Sequence, residues 1–321
     1  MHPHFARFQK LAELVDGANT VNQALIDFHQ NKTSSVIKGR NVIAGYVRGW
    51  GLQFNIIRSF IQQDPIYRES LKLVEGIHLT HEVSLMNIFL IMKYGLKNLE
   101  RFKYCCSRCS ARNEAHSTAV YSDTRGHEHR SDTTMRDSSN IKNALEGDII
   151  EFGSYHGGSA IFMANVAKRL GMTGTVYALD TFTGLPAADP VLDFLVTNDF
   201  KNTSFESLSE RISKLDLPNL VPIKGPFQKT APALLRRSQK ILLAYLDCKT
   251  YESTHYALSS VLPHMHPAGG YILLHDPIHS NGLGPLQAME EMIETHQLYA
   301  EQAYPHMVYR YPKLCSQANQ F

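Results

Sequence analysis

The sequence lacks any apolar run long enough to cross a bilayer. Its apolar runs, such as Ile88-Phe89-Leu90-Ile91-Met92, are far short of the ~20 residues a helical span needs, so no membrane partner is expected. The formal net charge of +2 argues neither for nor against nucleic acid, but the chain lacks a basic patch with interleaved aromatics. Nucleic acid is therefore not an expected partner. The opening residues Met1-His2-Pro3-His4-Phe5 have no signal-peptide character. Cysteines are few and odd in number, at 5, which suits reduced thiols and a cytoplasmic setting. No internal repeat is evident. The dinucleotide fingerprint G-x-G-x-x-G is missing too, because Gly153 and Gly157-Gly158 stand at the wrong spacing.

What is present is enough for a domain of ordinary size plus a substantial extra part: 321 residues, 43% of them hydrophobic. Three regions are expected. Residues 1–103 read as helical, with Phe5, Phe8, Leu11 and Leu14 at helical spacing. Asp64 before Pro65 is a helix start, an N-cap acid followed by proline at the first position. From there one helix is expected through Leu71, Val74 and Ile77 toward Tyr94, with Gly95 as its stop. Residues 104–140 are rich in Ser, Thr, Arg, Asp and His and read as a polar linker or lid. Residues 141–321 alternate strand and helix. Strands are expected at Asp148–Phe152, Thr175–Leu179, Leu220–Ile223, Ile241–Leu246, Tyr271–Leu274 and Met307–Tyr311. Helices are expected at Gly158–Leu170, Phe205–Leu215, Ser253–Leu262 and Pro285–Gln297. That alternation implies an α/β fold, a doubly wound and mostly parallel Rossmann-like sheet with a helical region before it.

The most informative stretch runs Gly147-Asp148-Ile149-Ile150-Glu151-Phe152-Gly153-Ser154-Tyr155-His156-Gly157-Gly158-Ser159. An apolar strand ends beside an acid, a glycine turn follows, and a helix opens at a glycine pair. A second strand then ends in Asp180. Glycines let a backbone approach a ligand closely, and an acid after the second strand holds a ribose hydroxyl. This is a nucleotide-type cofactor site.

These residues carry a resemblance. Glu151-x-Gly153-x-x-x-Gly157-Gly158-Ser159, followed by Leu179-Asp180-Thr181-Phe182-Thr183-Gly184-Leu185-Pro186, resembles class I S-adenosylmethionine (SAM)-dependent methyltransferases, and more narrowly the macrocin O-methyltransferase group. Lys224–Pro232, Leu246–Thr254 and Gly269–Asp276 fit the same pattern. The resemblance spans about residues 141–312. It implies a SAM-dependent O-methyltransferase acting on a hydroxyl of a small natural product, such as a sugar moiety. It places the cofactor over Glu151, Gly153, Ser154, Tyr155, Gly157, Gly158 and Ser159. Asp180 takes the ribose, Thr181 and Phe182 border the adenosine, Gly225, Phe227 and Thr230 line the adenine side, and Asp247 lies close by. The N-terminal helices would shape the acceptor pocket or pair two copies as a homodimer.

An alcohol is a poor nucleophile at neutral pH, so a base or a metal must help it. The resemblance implies acids after the fourth and fifth strands that bind a divalent metal. Asp247 and Asp276 match them. Lys249 stands instead of an acid, and His275 replaces the first acid of a pair. Three readings stay open. In one, His275 or His279 is the general base and Lys249 polarises the acceptor oxygen. In another, Asp247, His275 and Asp276 hold zinc, manganese or iron. In the third, the chain binds SAM poorly and has lost its chemistry; a rival of another class is a scaffold whose helical region binds a protein partner. An iron-dependent, oxygenase-like relative is a further alternative. Ser253 or Thr254 is expected to cap a helix, with Tyr251 able to reach the acceptor pocket. Cys105, Cys106 and Cys109, ahead of His116, His127 and His129, read as a thiol-bearing loop in preference to a zinc site. His78, His81 and Glu82 read as ordinary helix residues.

Overall fold

A computed structural model describes residues 61–77, 80, 82–96 and 146–311, apart from positions 187, 190–191, 194–198, 239, 268, 276–282, 297 and 303–307. The expected helix at residues 5–14, the polar segment 104–140 with its Cys and His residues, His78, His81, Asp276 and His279 lie outside the described residues.

The chain begins its described course with α1 (Pro65–Val74), α2 (Glu82–Leu90) and a π-helical turn Ile91–Gly95 continuing α2. Then come β1 (Asp148–Phe152), α3 (Gly158–Leu170), β2 (Val176–Asp180), α4 (Phe205–Lys214), β3 (Leu220–Lys224), α5 (Phe227–Arg237), β4 (Ile241–Leu246) and α6 (Tyr251–Val261). A 3-10 turn Leu262–His264, β5 (Gly270–Leu274), α7 (Leu283–His296), β6 (Tyr299–Gln302) and β7 (Val308–Tyr311) complete it. The sheet has seven strands in the order β3-β2-β1-β4-β5-β7-β6. The first five are mutually parallel, and β7 runs antiparallel to both β5 and β6.

Helices cover both faces, so the central strands are apolar on both sides. Every residue of β4, Ile241-Leu-Leu-Ala-Tyr-Leu246, is buried. Successive side chains feed two separate cores. Ile149, Leu243, Tyr245 and Leu273 pack with α3 and α4, while Ile150, Ala244, Leu246 and Ile272 pack with α5, α6 and α7.

The helices before the sheet belong to the first of these cores. Tyr67 on α1 meets Phe162 on α3 edge to face at 5.7 Å, and Phe89 on α2 at 5.3 Å. Asn165 on α3 donates to the Ser70 hydroxyl at 2.8 Å, a buried bond spanning 95 residues of sequence. Asp64 caps α1 as expected, accepting the Ile66 N–H at 2.9 Å, with Pro65 next to it. The single long helix expected through Ile77 to Tyr94 is instead two. Helix α1 stops at Val74, its C-cap Glu75 is extended, and Gly76 takes a left-handed φ of 77°. A further correction concerns a local signal. Helix α6 is capped by Thr250, whose hydroxyl accepts the Ser253 N–H at 3.3 Å, so Ser253 and Thr254 lie inside it. Helix α5 and strand β6 are elements to which the sequence assigns no bounds.

Candidate functional site

The site is built by the sheet's own hydrogen bonds, which continue past the strand ends. Gly153 donates its N–H to Leu179 O at 2.9 Å, Asp247 to Phe152 O at 2.9 Å, His275 to Leu246 O at 2.9 Å and Gly225 to Asp180 O at 2.8 Å. Gly225, Asp180, Gly153, Asp247 and His275 therefore stand in one row along the carboxyl edge of β3-β2-β1-β4-β5. The order in which successive strands are added reverses between β1 and β4, all of them parallel, and open α/β sheets place their ligands at such a point. A cleft of about 360 Å³ opens there, lined by Gly153, Tyr155, Asp180, Asp247, Lys249 and His275 among others.

Gly153 is required by closeness. Its φ is +90°, and a Cβ added there would stand 2.7 Å from the Asp247 carbonyl oxygen. The turn after it is held by one carboxylate. Asp180 accepts the Tyr155 N–H and the Phe182 N–H, both at 2.8 Å. Tyr155 and Phe182 are non-glycine residues with left-handed φ values of 49° and 53°. Such conformations cost free energy and persist where their surroundings fix them. Here two N–H donors to one acid do so. Gly157, at φ 79°, is the N-cap of α3, so the helix opens at Gly158 as the sequence predicts.

Beneath the glycine turn Glu151 is fully buried. Ser159 donates a short hydrogen bond to its Oε1. Its Oε2, like the buried Ser154 Oγ, has no hydrogen-bond partner among the described residues. Burial pushes the Glu151 carboxyl well above the usual carboxylate range, against the Ser159 bond that lowers it, and the nearby Asp247 and Asp180 charges push the same way as burial.

The side of the cleft beyond β4 and β5 holds the acid, the ammonium and the imidazole. Lys249 Nζ lies 2.6 Å from Asp247 Oδ1 as an ion pair, without the alignment of a hydrogen bond. His275 Nε2 is 4.0 Å from Asp247 Oδ2. His275 is nearly buried, and its Nδ1 is 2.6 Å from the Tyr245 hydroxyl. Burial, helped by the Asp247 charge, pushes the Cys248 thiol well above its ordinary range, which favours the protonated form.

The structure thus brings Gly153, Tyr155, Asp180, Thr181, Phe227, Asp247, Lys249 and His275 to one cleft. Glu151, Ser154 and Ser159 are buried residues of the β1–α3 turn that carries Gly153 and Tyr155. The Phe182 ring packs on Phe205 at 5.5 Å and is nearly buried. Gly225 positions the turn before α5, and the Thr230 hydroxyl bonds Pro226 O at 3.1 Å within that helix. Tyr251 donates its hydroxyl to Glu291 on α7 at 2.7 Å, so it braces two helices instead of reaching an acceptor. Two residues went unread in the sequence. Tyr245 is signalled only as the one polar side chain in an otherwise aliphatic strand. Phe200 lines the cleft from a loop with no signal of its own.

The chemistry of these donors fits SAM. The Asp180 carboxylate suits ribose hydroxyls, and the partnerless Glu151 and Ser154 oxygens suit a cationic or N–H-bearing group. The described part of the expected metal set, Asp247 and His275, does not by itself fit a divalent cation, and its third member, Asp276, lies outside the described residues. Among the described residues no three His, Cys, Asp or Glu side chains converge as metal ligands, and an ammonium already neutralises Asp247.

The chain is similar to two curated Streptomyces proteins. One is the 8-demethyl-8-(2,3-dimethoxy-alpha-L-rhamnosyl)-tetracenomycin-C 4'-O-methyltransferase of Streptomyces olivaceus, 29% identical over 147 residues, or 42% of this chain and 55% of that protein. The other is the demethyldecarbamoylnovobiocin O-methyltransferase of Streptomyces niveus, 27% identical over 146 residues, again 42% and 55%. The match thus spans about half the length of each relative. The solved structure of the O-methyltransferase NovP is 22% identical, with 53% of this chain and 74% of that chain covered at a TM-score of 0.45. The model of the macrocin O-methyltransferase (TylF) family matches residues 111–302. With more than half its length in that match, the chain belongs to the macrocin O-methyltransferase family.

Proposed function

We propose that this protein is a SAM-dependent O-methyltransferase that methylates a hydroxyl of a small natural product, with a sugar hydroxyl the first candidate. The observation that carries the reading is the Asp180 carboxylate, locked by the Tyr155 and Phe182 N–H groups at the switch point of the sheet. The family and the two curated relatives, both O-methyltransferases and one acting on a rhamnosyl group, support the substrate class.

When bound, SAM supplies an electrophilic methyl group and leaves as S-adenosylhomocysteine. The chain's residues divide the remaining work. Asp180 holds the ribose hydroxyls, with Thr181 and Phe227 walling the adenosine side. Glu151 and Ser154 serve the cofactor's amino-acid end from beneath the glycine turn. His275 takes the proton that the acceptor hydroxyl must lose as its oxygen gains the methyl. For that, Nδ1–H donates to the Tyr245 hydroxyl and Nε2 presents its lone pair to the cleft. Lys249, anchored on Asp247, places a positive charge beside the oxygen as it sheds its proton.

The same reading divides the chain into a helical part to residue 103, a polar linker or lid over 104–140 and a catalytic domain from 141. It sets the enzyme in the cytoplasm, where the buried Cys248 thiol stays reduced. No helix among the described residues is long and apolar enough to cross a membrane. Pairing of two chains through the helices before the sheet is part of the proposal, to be checked by light scattering.

The test is calorimetric titration with SAM and S-adenosylhomocysteine, repeated with Asp180→Ala. Micromolar binding that Asp180→Ala abolishes supports the reading. No binding by the wild-type protein at millimolar cofactor overturns it in favour of a scaffold that binds a protein partner.

A further inference from the structure

The ion pair at the mouth of β4 carries the inference. Asp247 is a largely buried carboxylate, its side chain 17% exposed, and Lys249 is 23% exposed. The two sit two residues apart on the loop between β4 and α6. That loop is fixed at both ends: Asp247 bonds back to β1 through its N–H, and Thr250 caps α6. Lys249 therefore reaches Asp247 from a rigid base. His275 Nε2 stands 4.0 Å from the other carboxylate oxygen. One acid, one ammonium and one imidazole share this end of the cleft, and the ammonium holds the place on the carboxylate that a bound cation would take.

We propose that the Lys249 ammonium, seated on Asp247, is the resident cation of the acceptor end of this cleft and stands in for a divalent metal. The inference rests on the methyl-transfer reading for its role in the reaction, though not for its geometry. A metal on Asp247 and an ammonium 2.6 Å from the same oxygen exclude one another by charge and by volume. An ammonium also differs from a divalent ion in what it selects. It offers single N–H donors to an oxygen, where a magnesium ion demands several hard oxygens at fixed angles. The site therefore accepts an acceptor with one hydroxyl at the reacting position. It does not require the vicinal pair of oxygens that chelates a metal.

The test needs no acceptor. Manganese(II) is titrated into the full-length protein and its uptake is followed by loss of the free-ion electron paramagnetic resonance signal. The wild-type protein is compared with Lys249→Gln, which removes the charge, and Lys249→Asp, which adds a ligand beside Asp247. Melting temperature and S-adenosylhomocysteine binding are measured on each to confirm folding. The expected result is at least about tenfold tighter manganese uptake by Lys249→Asp than by wild type, with a smaller gain for Lys249→Gln, since hard divalent ions follow the number of carboxylate ligands. The double change Asp247→Ala with Lys249→Asp is expected to reverse the gain. Uptake by the wild-type protein as tight as by the variants overturns the proposal. So does a folded Lys249→Asp and a folded Lys249→Gln that both take up no more manganese than wild type. Loss of S-adenosylhomocysteine binding in every protein, wild type included, would instead strike the cofactor reading and leave the manganese comparison legible.

Discussion

Tyr155 donates its backbone N–H to Asp180 Oδ2 at 2.8 Å, joining the glycine turn after β1 to the end of β2. The same carboxylate accepts from Phe182 through its other oxygen. Asp180 thus fixes the loop conformation, and on the proposed reading it also holds the ribose. Asp180→Asn keeps one acceptor oxygen and loses the charge. Hydrogen bonds to charged groups are worth about 1.5–3 kcal/mol, so S-adenosylhomocysteine affinity is expected to fall roughly tenfold to a hundredfold. Calorimetry reads this directly. Unchanged affinity would remove Asp180 from the cofactor site.

Gly153→Ala is expected to be worse than its single added carbon suggests. The new Cβ would meet the backbone oxygen of Asp247, which cannot rotate away, at a φ of +90° that side chains rarely adopt. Strain of this kind costs on the order of 1–3 kcal/mol. It would separate β1 from β4 at the place where the cleft opens. A lower melting temperature together with lost cofactor binding is the expected outcome. Binding at wild-type strength would show that the two strand ends are free to part.

The sheet was legible because buried parallel strands read as continuous apolar runs. Asp148–Phe152 and Ile241–Leu246 have the bounds the sequence predicts. Helix α5 was hidden by Gly225-Pro226 before it and Pro232 within it. Pro232 is the sixth residue of the helix, where its missing N–H forgoes one backbone bond. Strand β6 has only four residues and exists through its pairing with β7, a long-range contact that periodicity does not encode. The site residues were readable as types: an acid after β2, an acid after β4, a histidine after β5. Their relations were not. Nothing in the spacing of Asp247 and Lys249 says that the lysine folds back onto the acid. Nor does position 245 say that its hydroxyl meets His275.

Glu151 gives the fold a measurable pH dependence. Its carboxyl is raised by burial above the ordinary value of 4.5. Between the ordinary and the raised value the native state holds a proton that the unfolded chain has released. Stability from this group is therefore intact below about pH 4.5 and is lost as pH rises through that window. Glu151→Gln abolishes the titration while keeping an oxygen for the Ser159 hydroxyl. The difference in unfolding free energy between the two proteins should move in favour of the variant as pH rises from 4 toward neutrality, and a pH series of urea melts would show it. A difference independent of pH would mean that Glu151 ionises freely in the folded protein.

His275 and Tyr245 separate chemistry from binding. If His275 is the base, His275→Ala should lower kcat by about 10²- to 10⁴-fold, the usual worth of a positioned proton acceptor, with the cofactor still bound. Tyr245→Phe leaves the ring in its buried place and removes only the hydroxyl that meets Nδ1. It should lower kcat by less than His275→Ala while leaving KM for SAM unchanged. A rise in KM with kcat intact would make Tyr245 a packing residue and no more.

The helices before the sheet pack into one of its two cores, so they are expected to unfold with it, and Tyr67 is where this can be checked. Its ring is fully buried between Phe89 of α2 and Phe162 of α3, edge to face with both. Truncating a buried aromatic leaves a cavity that the surrounding side chains only partly fill, at a cost of about 3–5 kcal/mol. Because Phe162 also packs in the core that holds Ile149 and Leu243 of the sheet, that loss should be felt by the whole molecule. Tyr67→Ala is expected to shift a single unfolding transition to lower urea, with fluorescence and circular dichroism changing together. Two separated transitions, with the sheet unfolding at its wild-type midpoint, would show that residues 61–96 are an independent unit resting on the catalytic layer. The buried Ser70–Asn165 bond would then contribute nothing to the stability of the cofactor site.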